Sequence, residues 1–351
     1  MIINVIKIVV PAVLSFFLGM LITPFFTNLF YKYKMWKKSP RTDANITTDD
    51  FAKVHNTKSE LSTPRVGGII IWVSVLLTVC VIYLLSIIFP TEITQKLNFL
   101  SRNQTLVPLA TLILASLIGL IDDMLQIMGK GSYAKDSLVY RKVKIVAVTL
   151  IGLAISYWFY YKLEVTSIHM PFLGDINLGL WFIPFFILVM LAVFSTSVID
   201  GMDGLSGGIM ATIFTAYALI AFVNNQIDIA AFCSVVSGGT LAFLWFNIPP
   251  ARFYMGETGI LGLTVTLSVI AFMTNSVMVL PIIALPLVLT SASVIIQIIS
   301  YKYFNKHRVF RVAPLHHHFE AIGWSREKIV MRYWVVSVVF AIIGVIIALV
   351  S

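Results

Sequence analysis

The chain has 351 residues, of which 59% are hydrophobic and only 12% are charged. Soluble domains carry about 25% charged residues, so the composition excludes an ordinary soluble protein. Apolar stretches of about 18 or more residues recur, and each can cross a bilayer as a helix. A β-barrel does not fit, because barrel strands alternate polar and apolar residues. We predict an all-α integral membrane protein with a single polytopic domain over 1–351.

The apolar pattern predicts ten transmembrane helices, the first of which is too long to be a signal-peptide core. An even number of spans places both termini on the same side of the membrane. The predicted spans are 6–30, 67–89, 106–121, 143–160, 181–197, 205–222, 229–246, 259–275, 279–301 and 333–350.

Lys and Arg are distributed unequally over the predicted loops. With both termini outside, 21 of the 25 lie on the inner side, and only Lys7, Lys96, Arg102 and Lys162 lie outside. Such an excess marks the cytoplasmic side. The net charge of +9 is therefore a topology signal rather than a sign of a nucleic-acid partner. It also suits anionic membrane lipid and phosphorylated substrates.

The first inner loop ends in the stretch KSELSTPRVGG, in which Lys58, Thr63 and Arg65 precede a Gly-Gly pair. Basic residues here anchor a span on the inner side, and substrate binding is the alternative interpretation.

Two adjacent acids, Asp122 and Asp123, end the third span. Carboxylates oppose the helix dipole at a C-terminus, and neighbouring carboxylates repel each other. A Mg²⁺ ion would relieve both problems, since it accepts one or two carboxylates together with water and substrate phosphates. A solvated helix end is the alternative.

The outer loop at 161–180 alternates Val165, Ser167 and His169 before a Gly174-Asp175 turn. This pattern predicts a short outer β-hairpin.

The stretch VIDGMDGLSGG contains Asp200 and Asp203, which would share one face of a helix. Its glycines allow close backbone approach. The pattern indicates a nucleotide or diphosphate pocket at a helix N-terminus; a capped turn with Asp200 as N-cap is the alternative.

A Pro/Gly-rich turn carries Asn247, Tyr254 and Glu257. An amide, an aromatic ring and a carboxylate are suited to hold a base and a metal, although an ordinary loop between helices has the same composition.

The stretch APLHHHFEAIGW contains three successive histidines, His316 to His318. Neighbouring side chains on a helix point about 100° apart, so the three cannot readily bind one zinc ion. Phosphate binding and proton handling near neutral pH are the functional interpretation, with Arg308 and Arg311 assisting. A structural cluster at the membrane surface is the alternative.

Apart from the outer loop at 161–180, all of these polar stretches fall on the predicted inner side. A pump or channel more often carries ionisable groups at mid-membrane. The distribution favours an enzyme that joins a water-soluble substrate to a lipid.

From TPRVGG to the last span, these stretches resemble the polyprenyl-phosphate N-acetylhexosamine-1-phosphate transferase superfamily. The triple histidine resembles its phospho-N-acetylmuramoyl-pentapeptide transferase branch. The resemblance implies a ten-helix bundle in the bacterial inner membrane with a cytoplasmic active site, and it suggests a homodimer. It implies Mg²⁺-dependent transfer of phospho-MurNAc-pentapeptide from UDP-MurNAc-pentapeptide to undecaprenyl phosphate, giving lipid I and UMP for peptidoglycan synthesis.

The resemblance also assigns roles to residues, with Asp122 as the base or nucleophile toward the lipid phosphate. The implied catalytic residues are Asp122, Asp123, His316, His317 and His318, and the implied metal ligands are Glu257, Asp122 and Asp123. The implied substrate contacts are Lys58, Thr63, Lys144, Asp200, Gly201, Met202, Asp203, Asn247, Tyr254 and Arg308.

Three positions depart from the family pattern: Gln126 replaces Lys, Ser197 replaces Asn, and Glu257 replaces the metal-binding Asp. Glu reaches one methylene further than Asp, which near-ideal Mg²⁺ geometry tolerates poorly. An impaired homologue is therefore one alternative. Two others are a UDP-N-acetylglucosamine transferase of the same superfamily and a transporter or lipid flippase.

Overall fold

The computed structural model describes residues 2–38, 61–101, 104–129 and 137–351. Ten helices within these ranges are long and apolar enough to cross a membrane. Helices are the expected form, because backbone groups in hydrocarbon must satisfy one another within the segment. The prediction of an all-α multi-pass membrane protein is confirmed.

The described part of the chain is helical apart from turns, loops and two short strands. The helices are α1 (Ile2–Lys32), α2 (Ile69–Ile88), α3 (Glu92–Leu97), α4 (Leu106–Met128), α5 (Ser137–Lys162), α6 (Phe182–Ser195), α7 (Leu205–Val223), α8 (Ile227–Asn247), α9 (Gly256–Met273), α10 (Leu280–Ile283), α11 (Leu285–Tyr303), α12 (Leu315–Ala321) and α13 (Arg326–Val350), and the strands are β1 (Ser167–Met170) and β2 (Gly174–Asn177).

The predicted ninth span, 279–301, is wrong as a continuous helix. The structure divides it into the short α10 and the longer α11, with Pro281 and Pro286 in their first turns. Proline lacks the N–H that a continuing helix needs. The last span was predicted too short, since α13 begins at Arg326, where Ser325 caps the first turn by accepting from the Lys328 N–H.

The helices α7, α8 and α9 form the centre of the bundle. Their buried residues include many Gly, Ala, Ser and Thr. Small residues allow backbones to approach closely, which matters in lipid because apolar surface alone does not drive helices together. At Gly238 of α8, an added methyl group would overlap the backbone carbonyl of Ala12 in α1.

The predicted hairpin forms between β1 and β2, which pair antiparallel with His169 opposite Asp175. The backbone N–H of His169 donates to the side-chain oxygen of Asn275, just beyond the C-terminal end of α9. The 18 residues of α9 span about 27 Å. The hairpin therefore lies at the end of α9 opposite the residues described next.

Candidate active site

The carboxylates of Asp122 and Asp123 are buried in the last turns of α4. Asp123 Oδ2 accepts a hydrogen bond of 2.9 Å from the backbone N–H of Thr258, in the first turn of α9. The two helices touch here because Gly119 has no side chain, and a methyl group on it would overlap the backbone of Glu257. This crossing brings the acid pair to the N-terminal end of α9.

Lys144 of α5 joins the acids of the two other helices. Its Nζ lies 2.7 Å from Glu257 Oε1 and 3.2 Å from Asp122 Oδ2. Gln126 Nε2 also donates to Asp122 Oδ2, at 3.2 Å. Oδ2 of Asp122 is thus held by two donors, one charged and one neutral. We call Asp122, Asp123 and Glu257 the acid cluster.

The loop before α7 lies against the start of α9. Asp200 Oδ2 accepts from the Gly256 N–H at 3.2 Å, and its Oδ1 accepts from the Ser206 hydroxyl at 2.8 Å. Asp203 Oδ2 accepts from the Ala251 N–H at 3.4 Å. The prediction that Asp200 and Asp203 share a helix face is wrong.

A turn takes the place of that helix. Gly204, the N-cap of α7, has a φ of +77°, which favours glycine. Because the turn separates the two carboxylates, Asp200 faces the start of α9. Asp203 instead faces the loop between α8 and α9. Asp200 is also not the N-cap that the alternative interpretation required.

Burial raises the pKa of Asp200 to about 6, and the nearby charge of Glu257 acts in the same direction. The hydrogen bonds from Ser206 and Gly256 and the positive charge of Arg65 oppose this rise in the pKa. Burial also raises the pKa of Asp203, against the Ala251 N–H and the charge of Arg326. The loop therefore presents carboxyl groups that are costly to ionise until a cation or a hydrogen-bond donor arrives.

The side chain of Asn247, at the end of α8, is almost fully buried. Its Oδ1 accepts from the Gly204 N–H at 2.9 Å and its Nδ2 donates to the Phe253 carbonyl at 2.8 Å. Tyr254 is half-buried, and its backbone bonds Pro64 and Gly67. In this structure the Asn247 amide links two loops, and its contact with a base stays a prediction.

The three histidines lie on the short helix α12. The expectation that they cannot readily bind one zinc ion was based on such a helix. His316 is fully buried, and neither ring nitrogen has a hydrogen-bond partner among the described residues. A methyl group on Gly201 would overlap His316 Nε2, so α12 lies directly on the Asp200–Asp203 loop. Burial, aided by the positive charge of His317, lowers the pKa of His316 well below its usual range. His316 is therefore a neutral imidazole at pH 7.

The other two histidines have polar partners. His317 Nδ1 lies 3.1 Å from Glu320 Oε2, and the other oxygen of Glu320 accepts from Arg326 Nε at 2.6 Å. His318 Nδ1 accepts from the Arg311 N–H at 3.2 Å. Burial, with the charge of Arg311, lowers the pKa of His318.

Contacts connect the histidines to the acid cluster without a gap. Asp123 bonds the start of α9, Gly256 at that start bonds Asp200, and Gly201 packs against His316. We call residues 200–204, which precede α7, the glycine-rich loop. The acid cluster, the glycine-rich loop and the imidazoles therefore form one polar region at one end of the bundle.

Two predicted substrate residues, Arg308 and Thr63, lie at the margin of this region. Arg308 stacks its guanidinium over the Tyr301 ring, 5.4 Å from the ring centre, on the α11 side. Thr63 is buried beside the Pro64 carbonyl, which accepts from the Tyr254 N–H. Lys58 lies outside the described residues.

The acid cluster offers suitable ligands for the implied Mg²⁺. Two buried oxygens, Asp123 Oδ1 and Glu257 Oε2, have no hydrogen-bond partner within the described part of the chain. No group of three or more His, Cys, Asp or Glu side chains in that part is arranged to hold a metal. Mg²⁺ needs only one or two carboxylates, because water and substrate phosphates complete its shell. The cluster fits such an ion.

Comparison with known proteins identifies this architecture. Residues 105–275 match the model of glycosyl transferase family 4. Proteins named phospho-N-acetylmuramoyl-pentapeptide-transferase are similar over most of their length. The one from Geobacillus sp. WCH70 is 33% identical over 343 residues, covering 96% of both chains. That from Clostridium perfringens strain 13 is 32% identical over 341 residues, covering 96% of this chain and 98% of its own.

The chain belongs to the phospho-N-acetylmuramoyl-pentapeptide-transferase family. A third relative with this name, from Chloroflexus aurantiacus J-10-fl, is 33% identical over 302 residues, 83% of this chain and 78% of its own. The family resemblance in the polar stretches is thus confirmed by similarity along nearly the full length.

Several residues of the site were not predicted from the sequence. Thr258 holds Asp123 and Ser206 holds Asp200. Ser206 lies within VIDGMDGLSGG and Thr258 directly follows Glu257, but neither residue was assigned a role. Glu320 lies within the stretch APLHHHFEAIGW but was assigned no role. Glu320 follows His317 by three residues, and residues with that spacing are neighbours on a helix. This spacing could have predicted the contact between the two side chains.

Proposed function

We propose that this protein transfers phospho-N-acetylmuramoyl-pentapeptide from UDP-MurNAc-pentapeptide to undecaprenyl phosphate, giving lipid I and UMP. We place the reaction at the cytoplasmic face of the bacterial inner membrane. The observation that carries the proposal is the continuous contact from the acid cluster through Asp200 and Gly201 to His316 and His317. Full-length similarity to enzymes of this name supports it.

The reaction exchanges one phosphorus–oxygen bond for another. An oxygen of the lipid phosphate bonds to the phosphorus next to the sugar, and the bond from that phosphorus to the bridging oxygen breaks. UMP leaves with the bridging oxygen and both electrons of the broken bond. Such transfers depend mainly on positioning and on neutralising charge.

The residues of the acid cluster divide this work. Lys144 and Gln126 hold Oδ2 of Asp122, so the carboxylate is fixed in orientation toward the entering lipid phosphate. Asp122 either takes the proton of that phosphate, or itself attacks the phosphorus next to the sugar, so that UMP leaves and an acyl phosphate forms. In the second case an oxygen of the lipid phosphate then bonds to that phosphorus, and the bond to the Asp122 carboxylate breaks. Asp123 and Glu257 are the residues that would hold Mg²⁺, which when bound neutralises charge on the diphosphate.

The glycine-rich loop and the histidines form the nucleotide side of the site. Gly201 allows the chain to pass directly against His316, so a diphosphate between the loop and α12 would meet imidazoles and backbone groups together. His316 is neutral and buried, and it suits hydrogen bonding rather than charge neutralisation. The charge must come from Lys144, from the arginines and from the metal.

The test is UMP release by the purified protein in detergent, with both substrates and with or without Mg²⁺. We expect Mg²⁺-dependent turnover. Glu257→Asp should remain active, but the Mg²⁺ concentration that gives the half-maximal rate should change about tenfold. The reason is that the shorter side chain moves the carboxylate relative to the other residues of the acid cluster. No UMP release by the intact chain at any Mg²⁺ concentration would contradict the proposal.

Two further assays distinguish the competing functions. UDP-N-acetylglucosamine in place of the muramoyl donor should give no product, whereas preferential use of it would assign the chain to the sugar-transferring relatives. Movement of lipid-linked sugar across vesicles without UMP formation would instead indicate a flippase.

A further inference from the structure

A row of three charged or titratable side chains joins α12 to α13. His317 Nδ1 lies 3.1 Å from Glu320 Oε2, and Arg326 Nε lies 2.6 Å from Glu320 Oε1. The Glu320 side chain is only 12% exposed and that of His317 13%. Glu320 is therefore a partly buried carboxylate with one partner on each oxygen, and the partners come from different helices.

Burial alone would favour the neutral form of Glu320. The hydrogen bonds from His317 and Arg326, together with their charges, outweigh burial and lower the pKa of Glu320. An ionised carboxylate accepts hydrogen bonds and donates none. The proton between Glu320 Oε2 and the imidazole therefore resides on Nδ1 of His317, in the neutral ring as in the protonated one.

This assignment determines what the opposite nitrogen of His317 does. Nε2 points to the glycine-rich loop, where a methyl group built on Gly201 would lie 3.2 Å from it. With Nδ1 protonated, Nε2 of the neutral ring is an acceptor, and it becomes a donor only when the ring takes up a second proton. The nitrogen that faces the nucleotide side of the site is thus the one that exchanges protons.

Arg326 keeps the carboxylate in place and adds charge at the same point. It is the first residue of α13, directly after the N-cap Ser325. Its positive charge also acts on Asp203 in the glycine-rich loop. Arg326 of α13 therefore connects the His317–Glu320 pair of α12 electrostatically to Asp203 of the loop.

We propose that Glu320, held by Arg326, is a positioning residue of the transfer reaction, which fixes the tautomer and orientation of His317 so that Nε2 faces the diphosphate. The inference rests on the proposed transferase function. It adds a carboxylate and an arginine that act through an imidazole and need not touch substrate. Carboxylates that orient metal-bound histidines contribute about 10- to 100-fold, and we expect an effect at the lower end of that range for an imidazole without a metal.

The first experiment reads the tautomer directly and requires no turnover. Nitrogen NMR of protein labelled with ¹⁵N-histidine, recorded near pH 9 so that rings are neutral, reports which nitrogen carries the proton. The His317 signal is identified by its loss in His317→Gln. We expect protonated Nδ1 in the wild type and a mixture of tautomers in Glu320→Gln, whose amide can both accept and donate.

The second experiment is a double-mutant cycle in the UMP-release assay. Glu320→Gln should lower kcat about tenfold with less than a twofold change in KM for the nucleotide substrate. Glu320→Asp should recover part of the rate. In a His317→Gln protein, Glu320→Gln should cause no further loss, because its effect passes through His317.

The matched control is Glu327→Gln, which removes one negative charge from an exposed position on the first turn of α13. It should match the wild type in both measurements. A wild-type His317 with its proton on Nε2, or unchanged tautomers in Glu320→Gln, overturns the inference. Independent, multiplicative losses in the cycle also overturn it. Because the tautomer is read without catalysis, an inactive wild type would contradict the proposed function alone.

Discussion

The first and the eighth spans show opposite relations between hydropathy and burial. In α1, only 17% of the most apolar window is buried within the protein, whereas in α9 the share is 89%. Yet α1 has the higher mean hydropathy of the two. In a soluble protein the more apolar helix would lie at the centre. Here the more apolar helix faces lipid, and the helix richer in Gly, Ser and Thr forms the core.

The difference follows from the solvent. Lipid tails are as apolar as leucine, so burying leucine against protein gains little from the hydrophobic effect. Close packing and hydrogen bonding decide which helix is central. For α9, this central position also brings Glu257 and Thr258 to the acid pair, so the packing that distinguishes α9 from α1 also builds the site.

The largest expected effect comes from Gly119→Ala, at the crossing of α4 and α9. The added methyl group would overlap the backbone of Glu257, which cannot turn aside as a side chain can. Displacing the acid pair by about 1 Å can cost 100-fold in rate, so we expect at least that loss of UMP release. Helix propensity alone would favour Ala over Gly by about 1 kcal/mol, so a loss must come from packing.

Gly152→Ala is the control for Gly119→Ala. There the new methyl group would lie 3.2 Å from Met190 Sδ, on a flexible side chain, and most activity should remain. Equal losses at both glycines would show that the α4–α9 crossing has no special role.

Replacing one leucine in each span compares how much each helix contributes to the free energy of unfolding. Leu263 in α9 is fully buried, whereas Leu21 in α1 is 74% exposed to the surroundings of the bundle. Leu263→Ala should lower the free energy of unfolding by about 2 to 5 kcal/mol through the cavity it leaves. Leu21→Ala should change it by less than about 0.5 kcal/mol. Thermal unfolding in one detergent measures both, and similar losses would remove the contrast between the spans.

The contact of Asp200 with the start of α9 predicts a pH dependence of stability. The folded pKa of about 6 lies above the unfolded value of about 3.9, so the folded state binds the proton more tightly. The stability from this group is complete below about pH 4 and is lost as the pH rises through 6. Its size is about 1 to 3 kcal/mol, at 1.36 kcal/mol per pKa unit.

Asp200→Asn removes that titration. Its apparent melting temperature should fall furthest below the wild type near pH 4 and approach the wild type toward pH 8. A difference between the two proteins that stays constant over this range would mean that the carboxyl group of Asp200 titrates normally.

The smallest effects concern the hydroxyls of α9. The Thr258 hydroxyl donates to the Ser116 carbonyl of α4 at 3.1 Å, whereas the Thr264 hydroxyl donates to Ile260 of its own helix. Hydrogen bonds between helices in membranes average about 0.6 kcal/mol. Thr258→Val should cost about that amount and Thr264→Val close to nothing. Calorimetry would detect a reversed order, which would argue against hydroxyls as links between the central helices.

The sequence was sufficient to predict the ten spans, the hairpin and the grouping of polar stretches. Span length and the Lys and Arg distribution are local properties, so they are readable without knowing which helices are neighbours. The prediction at 279–301 was wrong because hydropathy does not register the proline at 286 as a break. The helix assumed for Asp200 and Asp203 was wrong because spacing alone does not distinguish a helix from a glycine-rich turn.

The partners within the site were beyond sequence reasoning. Lys144 and Glu257 are 113 residues apart, and no periodicity encodes that α5 and α9 meet. Gln126 was interpreted as a departure from the family pattern, yet its amide bonds the same oxygen of Asp122 as Lys144 does. What a substituted residue contributes depends on the neighbours that the fold supplies.

The ammonium group of Lys144 already serves as an internal counter-ion between two acids from different helices. A divalent cation entering the acid cluster therefore competes with a cation built into the chain. Metal affinity at this site should reflect the cost of displacing or sharing that lysine as well as the strength of the carboxylates. The resting enzyme can keep its acids together in a membrane, where unpaired negative charge would otherwise drive them apart.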